Sequence, residues 1–523
     1  MGGASNPSRG RVTSGGRLGH TPGVLPISYA ANVRALGRGL KHLVIVAPAS
    51  TFKRKASKAA LAKALGKRMA DYAGALASEA SPGRRGATAS SLFKAPGSKS
   101  DGPTRLTVGV LPDTLSRYNS PSRADSIRHV VSQVALGSTG KVGVLLVLDD
   151  ASHLLAATNA VGRALPQFSR KAKPTRAKVQ VAAITSSGTE LVVEDAVKTT
   201  VDCARDSAEL VDTPPSDLNP STYAVRIKEM LKEISGVKVT EIKGAKLLEN
   251  GLGGIHAVGR GASTEPRMIV AEWNPKAEGT HVALVGKGVT FDTGGLHLKP
   301  RGGIEGMKGD MGGSAAVLGA FRVLTQADYA GRLSLVMCIA ENAVDERSYK
   351  PDDVLVAHSG KTVEINNTDA EGRLLLMDGL SWAARELQAD VIFDAATLTG
   401  AQLIATGMIH AAIVTNDADM ECAMVSAGKV TGDLVHPLLF APELLQQEFS
   451  SKIADMKNSV ANRMNAQTSA AAQFLYGHIE DAPGAKNRRW CHIDLAGPSF
   501  LKGRGTGFGV ALIDHAVRNL PEA

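Results

Sequence analysis

The chain has 523 residues, of which 43% are hydrophobic and 21% are charged, and its net charge at neutral pH is +10. A chain of this length is too long for one ordinary domain and long enough for two, each with its own buried core. It contains no run of 18 or more apolar residues, so we expect no membrane span. The four cysteines are far apart and form no CxxC pair. This spacing fits a reducing compartment and argues against both a disulfide scaffold and a thiolate zinc site.

The positive charge is concentrated near the N-terminus. The first acidic residue is Asp71, and 13 lysine or arginine residues precede it. Residues 1–26 are rich in Gly, Ser, Arg and Pro and are predicted to form a disordered basic tail. An acid-free, Arg-rich and Ser-rich start is also typical of a mitochondrial transit peptide. We favour the tail on a cytoplasmic protein and keep a mitochondrial location as the alternative.

Residues 27–196 are predicted to form a smaller, N-terminal α/β domain. Short apolar runs, partly β-branched, predict buried strands at residues 42–47, 142–148 and 179–184. Apolar residues at helical spacing predict helices at residues 57–80 and 152–165. Residues 81–104 contain Gly, Pro and Ser and are predicted to be a long loop.

Residues 197–235 are predicted to connect this domain to the next. They contain a helical segment near 202–211 and then a proline-rich run that ends at Pro220. Proline removes a backbone donor and restricts the residue before it, so this run cannot continue the helix. Ser221 is predicted to cap the helix that follows.

Residues 236–523 are predicted to form the larger, C-terminal domain. The pattern predicts strands at 282–285, 333–340, 391–395 and 411–415, and helices at 314–325 and 374–387. The strand at 282–285 is predicted to run into a glycine-rich loop. Alternating strands and helices indicate an α/β fold with a mixed sheet covered by helices on both faces. Ligands of such sheets gather at the carboxyl ends of strands. Lys287, Asp292, Asp369 and Thr397 all follow predicted strands.

One stretch of this second domain concentrates charge. Residues 367–374 read Asn-Thr-Asp-Ala-Glu-Gly-Arg-Leu. In an extended backbone, Asp369, Glu371 and Arg373 occupy alternate positions and face one pocket. Two close carboxylates repel each other, one arginine offsets part of that repulsion, and one or two divalent metal ions would offset the rest. The alternative is a solvated acidic turn that caps a helix beginning near Leu374.

A second stretch favours the metal site. Residues 285–300 read Val-Gly-Lys-Gly-Val-Thr-Phe-Asp-Thr-Gly-Gly-Leu-His-Leu-Lys-Pro, and residues 307–313 read Met-Lys-Gly-Asp-Met-Gly-Gly. With the octapeptide, they closely resemble the signatures of the leucyl aminopeptidase family, hexameric exopeptidases that use two metal ions. The resemblance extends, with gaps, from about Asp212 to the end. It implies a metal-dependent aminopeptidase that releases N-terminal amino acids, preferably Leu and other apolar residues, through a water activated by two metals.

The resemblance also implies a ligand set. The implied metal ligands are Lys287, Asp292, Asp310, Asp369 and Glu371. Asp292 and Glu371 would bridge the two ions, for which Zn, Mn, Mg and Co are all suitable. Lys287 could bind a metal only as a neutral amine, so its pKa would have to fall by several units.

Two further residues are implied to be catalytic. Lys299 would stabilise the oxyanion that develops on the peptide carbonyl. Arg373 would hold a bicarbonate ion that serves as general base. Read without the family, Lys299 is a solvated loop lysine before Pro300.

The implied substrate pocket is built from small and apolar groups. Its residues are Met307, Asn367, Thr397, Leu398, Gly400 and Ala401. Such groups suit Leu or Met side chains, although Met307 could equally pack in the core. Residues 465–470 stand where the family generally has a glycine pair, which leaves the exact side-chain preference open.

By the same resemblance, the partners are short peptides and further copies of this chain in a homohexamer, a dimer of trimers. The main alternative is a nucleic-acid-binding protein that acts through its basic N-terminal domain. No helix-turn-helix pattern or interleaved aromatic residues stand out, and aromatic residues are 4%, which argues against a nucleic-acid partner. A GxSxG elbow, an HExxH motif and a GxxxxGK[ST] phosphate loop are absent, which argues against a serine hydrolase, a single-zinc protease and a phosphate-loop protein.

Overall fold

The structure is a computed structural model that describes residues 25–36, 39–94, 104–135, 137–172 and 177–522. All but the last two residues of the predicted tail, 1–26, lie outside this part of the chain. Two large sheets, of seven and eight strands, organise the described residues, together with two small sheets of three and two strands. Within the described ranges, no helix is long and apolar enough to cross a membrane.

The first large sheet belongs to the N-terminal half of the chain. Its strands are β1 (Ile27–Tyr29), β2 (His42–Pro48), β3 (Ala87–Phe93), β4 (Thr104–Leu111), β5 (Gly140–Leu148), β6 (Ala177–Thr185) and β7 (Glu190–Leu191). The helices are α1 (Lys55–Leu65), α2 (Lys67–Glu79), α3 (Ala124–Ala135) and α4 (Leu154–Arg163). The strand order is β1-β6-β5-β2-β4-β3, with β7 paired to β6. The predicted strands at 42–47, 142–148 and 179–184 are therefore present as β2, β5 and β6.

Two predictions for this half were wrong in detail. The helix predicted at residues 57–80 is two helices, α1 and α2, separated by Gly66 at φ +85°. The loop predicted at 81–104 contains β3, which pairs antiparallel with β4 from Ala87↔Val110 to Phe93↔Thr104. Ser and Ala give β3 little strand propensity of its own, and the neighbouring strand supplies its hydrogen bonds.

The connection to the second half consists of helices α5 (Asp195–Asp212) and α6 (Pro220–Lys232). Helix α6 is capped by Asn219, not by Ser221 as the sequence predicted. The Asn219 side chain accepts hydrogen bonds from the backbone N–H groups of Ser221 and Thr222, each 3.0 Å long. Pro220 occupies the first helical position, which its fixed φ suits, so the cap falls one residue before it.

The second half contains the larger sheet. Its strands are β8 (Lys238–Lys243), β9 (Arg267–Trp273), β10 (His281–Asp292), β11 (Arg332–Asn342), β14 (Val391–Ala396), β15 (Ala411–Thr415), β16 (Val435–Pro437) and β18 (Arg489–Asp494). Small strands are β12 (Val354–Val356), β13 (Thr362–Glu364), β17 (Met456–Lys457), β19 (Phe500–Leu501) and β20 (Arg504–Gly505). The helices are α7 (Lys246–Glu249), α8 (Gly253–Gly259), α9 (Gly312–Gln326), α10 (Gly372–Arg385), α11 (Gly400–Ala405), α12 (Ala418–Thr431), α13 (Pro442–Leu445), α14 (Gln467–Tyr476) and α15 (Val510–Arg518).

The large sheet is mixed and covered on both faces, as predicted. Its order is β16-β15-β18-β14-β10-β11-β9-β8, with β11, β10, β14 and β18 parallel. Successive residues of β10 enter different cores. Val282 and Leu284 pack with helices α9 and α15, whereas Ala283 and Val285 pack with α8 and α10. This arrangement places the carboxyl ends of four parallel strands side by side. The two-domain α/β fold is confirmed, and the boundaries at 196/197 and 235/236 stay predictions.

Strand β10 is longer than the predicted 282–285, and the residues predicted as a glycine-rich loop continue it to Asp292. The reason is close helix packing. A Cβ atom added at Gly286 would lie 2.5 Å from Ser314 Cα and 2.5 Å from Val317 Cγ2. Glycine in this strand therefore lets α9 approach the sheet and does not signal a turn.

Candidate active site

A cavity of about 590 Å³ lies at the carboxyl ends of the parallel strands and gathers every site residue predicted from the sequence. The predicted residues that line it are Lys287, Asp292, Lys299, Met307, Asp310, Asn367, Asp369, Glu371, Arg373, Thr397, Leu398, Gly400 and Ala401. They come from segments more than a hundred residues apart, so folding brings them together. Their individual roles stay predictions.

Four carboxylates meet at the floor of this cavity. Asp292, Asp369 and Glu371 each place one oxygen within 4.8 Å of the others. Asp310 joins them through Lys287, whose Nζ lies 2.7 Å from Asp310 Oδ1 and 3.0 Å from Glu371 Oε1. Burial, with Coulombic repulsion from Asp292, raises the pKa of both Asp310 and Glu371.

Two lysine ammonium groups lie among these carboxylates. Lys287 Nζ is almost fully buried and also donates to the backbone oxygen of Thr397, 2.9 Å away. Lys299 Nζ lies 2.7 Å from Asp292 Oδ2 and 2.5 Å from Asp369 Oδ1. Burial lowers the pKa of each lysine, but Coulombic attraction to the carboxylates outweighs burial and raises it above the ordinary value. Lys287 therefore becomes a neutral amine only when added positive charge offsets the carboxylates.

Glycine makes room for the Lys287 side chain. A Cβ atom added at Gly372 would lie 2.5 Å from Lys287 Cε and 2.8 Å from Lys287 Nζ. Real Cβ atoms do not approach other atoms this closely, and Lys287 has no other space because its side chain is buried. Gly372, within residues 367–374, therefore leaves the space that the Lys287 side chain of β10 occupies.

The octapeptide is not extended, so the alternation argument for residues 367–374 was wrong. Thr368 and Asp369 form a turn, Glu371 precedes helix α10 with φ −72° and ψ −36°, and Arg373 lies in the first turn of α10. The three charged side chains still line one cavity, because a turn that enters a helix also directs them to one side. The predicted helix from Leu374 begins two residues earlier.

Distant side chains fix this turn. The Tyr349 hydroxyl donates to the Thr368 carbonyl oxygen over 2.6 Å, and Asn342 Nδ2 donates to the same oxygen over 3.1 Å. Asn342 Nδ2 also donates to Asp292 Oδ1 over 2.8 Å. The turn that carries Asp369 and the strand that carries Asp292 are thereby held in one geometry.

Arg373 is buried in the first turn of α10. Its Nη1 donates to the Asn458 carbonyl oxygen over 2.9 Å, and its guanidinium lies 5.9 Å from the ring centroids of Phe449 and Phe474. Burial lowers its pKa to about 10, so it remains a cation at neutral pH. Its Nε is buried and has no hydrogen-bond partner in the described part of the chain.

A family model described as the cytosol aminopeptidase family, catalytic domain, matches residues 205–513, and a model of the M17 aminopeptidase N-terminal domain 2 matches residues 62–174. The chain belongs to the cytosol aminopeptidase family. It is therefore an aminopeptidase, and the leucyl aminopeptidase family predicted from the sequence is confirmed.

Relatives of this aminopeptidase agree with that assignment. The chain is 42% identical over 416 residues, 78% of each chain, to the probable aminopeptidase NPEPL1 of Mus musculus. It resembles the solved leucyl aminopeptidase of Trypanosoma cruzi with a TM-score of 0.85 and 34% identity, over 96% of this chain and 98% of that one. It also resembles the bottromycin maturation enzyme BotP in complex with Mn, with a TM-score of 0.72 and 27% identity, over 92% and 99% of the two chains.

The donor atoms of the aminopeptidase fit divalent cations. Its four carboxylates and two ammonium groups leave two negative charges in excess when all are ionised. Asp310 Oδ2 is buried and has no hydrogen-bond partner among the described residues. Oxygen-rich, negatively charged clusters of this kind suit Mg²⁺, Mn²⁺ or Zn²⁺, and the lysine amine suits the softer of these ions.

Sequence reasoning missed several residues of the aminopeptidase site. Leu403, Ile404, Met408 and Phe500 widen the apolar wall of the cavity, and no sequence motif marks them. Asn342 is the last residue of β11. It follows the predicted strand 333–340, as the predicted site residues follow their strands, and this position is the signal that could have identified it.

Asp494 was missed as well. It ends β18, and its carboxylate accepts hydrogen bonds from the backbone N–H groups of Leu398 and Thr399, each 3.1 Å long. It thereby holds the loop that carries Thr397 and Leu398 and that leads into α11, where Gly400 and Ala401 lie.

Proposed function

We propose that this aminopeptidase releases N-terminal amino acids, with Leu and other apolar residues preferred, from short peptides, and that two divalent metal ions assist the reaction. The observation that carries the proposal is the cluster of Asp292, Asp310, Asp369 and Glu371, three of them buried, around the side chains of Lys287 and Lys299. A cluster with this excess of negative charge is costly to bury unless cations compensate it.

The residues that would hold the ions are Lys287, Asp292, Asp310, Asp369 and Glu371. When bound, two divalent ions supply a Lewis acid that polarises the peptide carbonyl and lowers the pKa of a bound water. Mn is supported by the complex of BotP, and Zn, Mg and Co suit the same donor set. The carboxylates also attract the free α-amine of a peptide, which favours cleavage at the N-terminus over cleavage within a chain.

Lys299 is proposed to stabilise the negative charge that develops on the carbonyl oxygen. Its Nζ is held between Asp292 and Asp369, so it contributes a fixed cation at the cavity floor without reorganisation. Arg373 is proposed to hold a bicarbonate ion that accepts a proton. The buried, unpartnered Nε of Arg373 supports an anion at this place.

The substrate side chain is proposed to enter the wall formed by Met307, Thr397, Leu398, Gly400 and Ala401, with Asn367 beside the peptide. No atom would lie within 4 Å of a Cβ added at Gly400, so this wall has room for a branched apolar side chain. Leu403, Ile404 and Met408 extend the same surface. One methylene group more or less in such a pocket changes selectivity by about 1–3 kcal/mol.

The assembly and location belong to the proposal too. A homohexamer, arranged as a dimer of trimers, and a cytoplasmic location follow from the family, with a mitochondrial location as the alternative. We propose peptides, and neither nucleic acid nor membrane, as partners.

The test is hydrolysis of leucyl amide by the wild type and by Asp369→Ala, each with and without a chelator. We expect chelation to abolish wild-type turnover and Asp369→Ala to lower it by more than about 100-fold, because a direct ligand matters more than the groups that orient it. Asp419→Ala, on the exposed first turn of α12, is the matched control and should keep wild-type turnover. Unchanged turnover in Asp369→Ala would refute the ligand assignment.

A further inference from the structure

A second cavity, of about 490 Å³, lies at the amino ends of β2 and β4 in the N-terminal sheet. We call it the basic cavity, and its floor and rim include Lys41, His42, Ser90, Arg105, Thr107 and Ser138. Its volume falls in the range of small-ligand sites. It belongs to a different sheet from the aminopeptidase cavity.

Strand register and helix packing shape the basic cavity. His42 of β2 is the register partner of Arg105 in β4, and Ser90 of β3 is the partner of Thr107. Helix α3 approaches β4 closely, because a Cβ added at Gly109 would lie 2.3 Å from Val130 Cγ1. The last turn of α3 therefore lies beside these side chains and forms one wall.

Among the described residues that line the basic cavity, the charged side chains are two cations. Lys41 and Arg105 are exposed at its rim, and no aspartate or glutamate lines it among the described residues. Neither cation forms an ion pair within the described part of the chain. The Lys41 side chain lies close to Gly140, since a Cβ added there would be 3.1 Å from Lys41 Cγ. Two adjacent cations without a carboxylate attract an anion.

The floor is a chain of hydrogen bonds whose direction can be assigned. Ser138 Oγ donates its hydrogen to the Val134 carbonyl oxygen over 2.9 Å, so toward His42 Nδ1, 2.8 Å away, it can only accept. Nδ1 therefore carries the hydrogen of a neutral His42, and Nε2 accepts from Thr107 Oγ1 over 2.7 Å. Burial, followed by repulsion from Arg105, lowers the pKa of His42 to about 4, which keeps this ring neutral.

The direction of the chain determines what Ser90 offers to a ligand. Because Thr107 gives its hydrogen to His42, Ser90 Oγ must donate to Thr107 Oγ1, 2.6 Å away. Ser90 then has lone pairs and no hydrogen left for the cavity. The basic cavity thus presents two cations at its rim and, beside them, a hydroxyl that can only accept.

We propose that the basic cavity binds a phosphate group on a species that also carries a hydroxyl hydrogen, either hydrogen phosphate itself or the phosphate monoester of a small polyol. Lys41 and Arg105 take the oxyanion, and the ligand hydroxyl donates to Ser90 Oγ. Arginine and lysine are the usual phosphate-binding side chains. The volume exceeds that of a lone phosphate, so an organic part fits beside it. This site is separate from the peptidase reaction.

The test is calorimetric titration of the metal-loaded protein with phosphate, sulfate and glucose 6-phosphate at about pH 6. At this pH phosphate keeps a P–OH group and sulfate has none. Because sulfate carries more charge than phosphate at this pH, the hydroxyl contact is measured as the change that Ser90→Ala makes in the ratio of phosphate affinity to sulfate affinity. We expect this ratio to fall about fivefold, the equivalent of one net hydrogen bond. The tighter of phosphate and glucose 6-phosphate identifies the physiological class.

Variants separate this site from anion binding at the metal centre. Lys41→Ala/Arg105→Ala should weaken phosphate binding by at least about tenfold, the loss expected for two charge-assisted contacts. Lys63→Ala/Arg68→Ala, which removes the same charge from exposed positions of α1 and α2, should not weaken it. Equal weakening by both pairs, or no binding component that the first pair removes, would overturn the proposal.

Ser90→Ala tests the assigned direction of the hydrogen-bond chain. It should lower phosphate affinity about fivefold while sulfate affinity stays unchanged. Ser90 is exposed on β3, so the substitution leaves folding intact. A ratio of phosphate affinity to sulfate affinity that stays at the wild-type value in Ser90→Ala would show that Ser90 does not accept from the ligand and would overturn its role.

Discussion

The two cavities of this molecule have similar volumes and opposite charge. The aminopeptidase cavity, about 590 Å³, has four carboxylates at its floor, and the basic cavity, about 490 Å³, has cations and hydroxyl groups and no carboxylate among its described lining residues. Both lie at the ends of parallel strands in an α/β sheet. Sheet architecture therefore provides a place for a ligand, and the side chains at that place decide which ligand is bound.

The two cavities also differ in which of their groups are buried. At the peptidase floor, ionisable groups are buried together, so each one depends on its neighbours for compensation. In the basic cavity the charged groups stay at the exposed rim, and the buried floor is neutral and fully hydrogen-bonded. Substitutions should consequently be far more damaging at the first site than at the second, which the following variants test.

Gly372→Ala should have the largest effect on activity. Its Cβ would lie 2.5 Å from Lys287 Cε, so Lys287 must move away from the carboxylates. We expect kcat/KM for leucyl amide to fall by at least about 10²-fold, the cost of misplacing a site group by about 1 Å, together with lower metal content.

Gly74→Ala is the matched control for Gly372→Ala. Gly74 lies within α2, and a Cβ there would meet no atom within 4 Å. It should keep wild-type kcat/KM and be slightly more stable, because alanine is the better helix former. Wild-type activity in Gly372→Ala would show that Lys287 is free to move without consequence.

Lys299→Ala should lower kcat by about 10²-fold while the metal content stays that of the wild type. The reason is that Lys299 supplies a fixed cation where charge develops and is not itself a proposed ligand. Metal content is measured by elemental analysis beside steady-state kinetics. Loss of metal in this variant would mean that Lys299 holds the carboxylates together and does not act on the substrate.

Asn342→Leu should act on metal affinity more than on turnover at saturating metal. Asn342 Nδ2 donates to Asp292 Oδ1 and to the Thr368 carbonyl oxygen, and leucine of similar volume removes both bonds. Groups that orient metal ligands are worth about 10- to 100-fold in affinity, so the metal concentration for half-maximal activity should rise by that factor. Asn250→Leu, beyond α7 on an exposed surface, is the control. An unchanged metal requirement would show that the turn and β10 hold their geometry without Asn342.

The sequence allowed the fold class and the composition of the aminopeptidase cavity to be predicted, because the charged residues of this cavity lie in short, specific sequence motifs. It did not allow local geometry to be predicted where distant residues decide it. Residues 367–374 were expected to be extended, and Tyr349 and Asn342 instead hold Thr368 in a turn. Within the octapeptide, Asn367 Oδ1 accepts from the Asp369 backbone N–H over 3.0 Å, so an Asx-type turn signal was present beside the alternation pattern.

The same limitation applies to β10 and to β3. Gly286 suggested a loop, and helix α9 packed against it makes it part of a strand. Residues 87–93 lack a strand pattern and become one by pairing with β4. The basic cavity was not predicted at all, since His42, Ser90, Arg105 and Ser138 carry no motif and meet through strand register and the packing of α3 on the sheet.

The smallest expected effect concerns the neutral floor of the basic cavity and is a pH dependence of stability. The pKa of His42 is lowered to about 4 in the folded protein from an ordinary value of 6.5. The unfolded chain therefore binds a proton below about pH 6.5 that the folded chain does not. Stability contributed by the neutral ring is fully present above that pH and is lost as the pH falls toward 4.

Between pH 7 and pH 5 we expect this histidine to cost about 1 kcal/mol of unfolding free energy, after allowance for solvent screening near the cavity mouth. Urea midpoints at the two pH values measure it, and His42→Gln should flatten the difference, whereas His129→Gln on α3 should change it less. An equally steep pH dependence in His42→Gln would mean that His42 is protonated in the fold. The floor would then offer a hydrogen to ligands, and the contrast between the two cavities would rest on Lys41 and Arg105 alone.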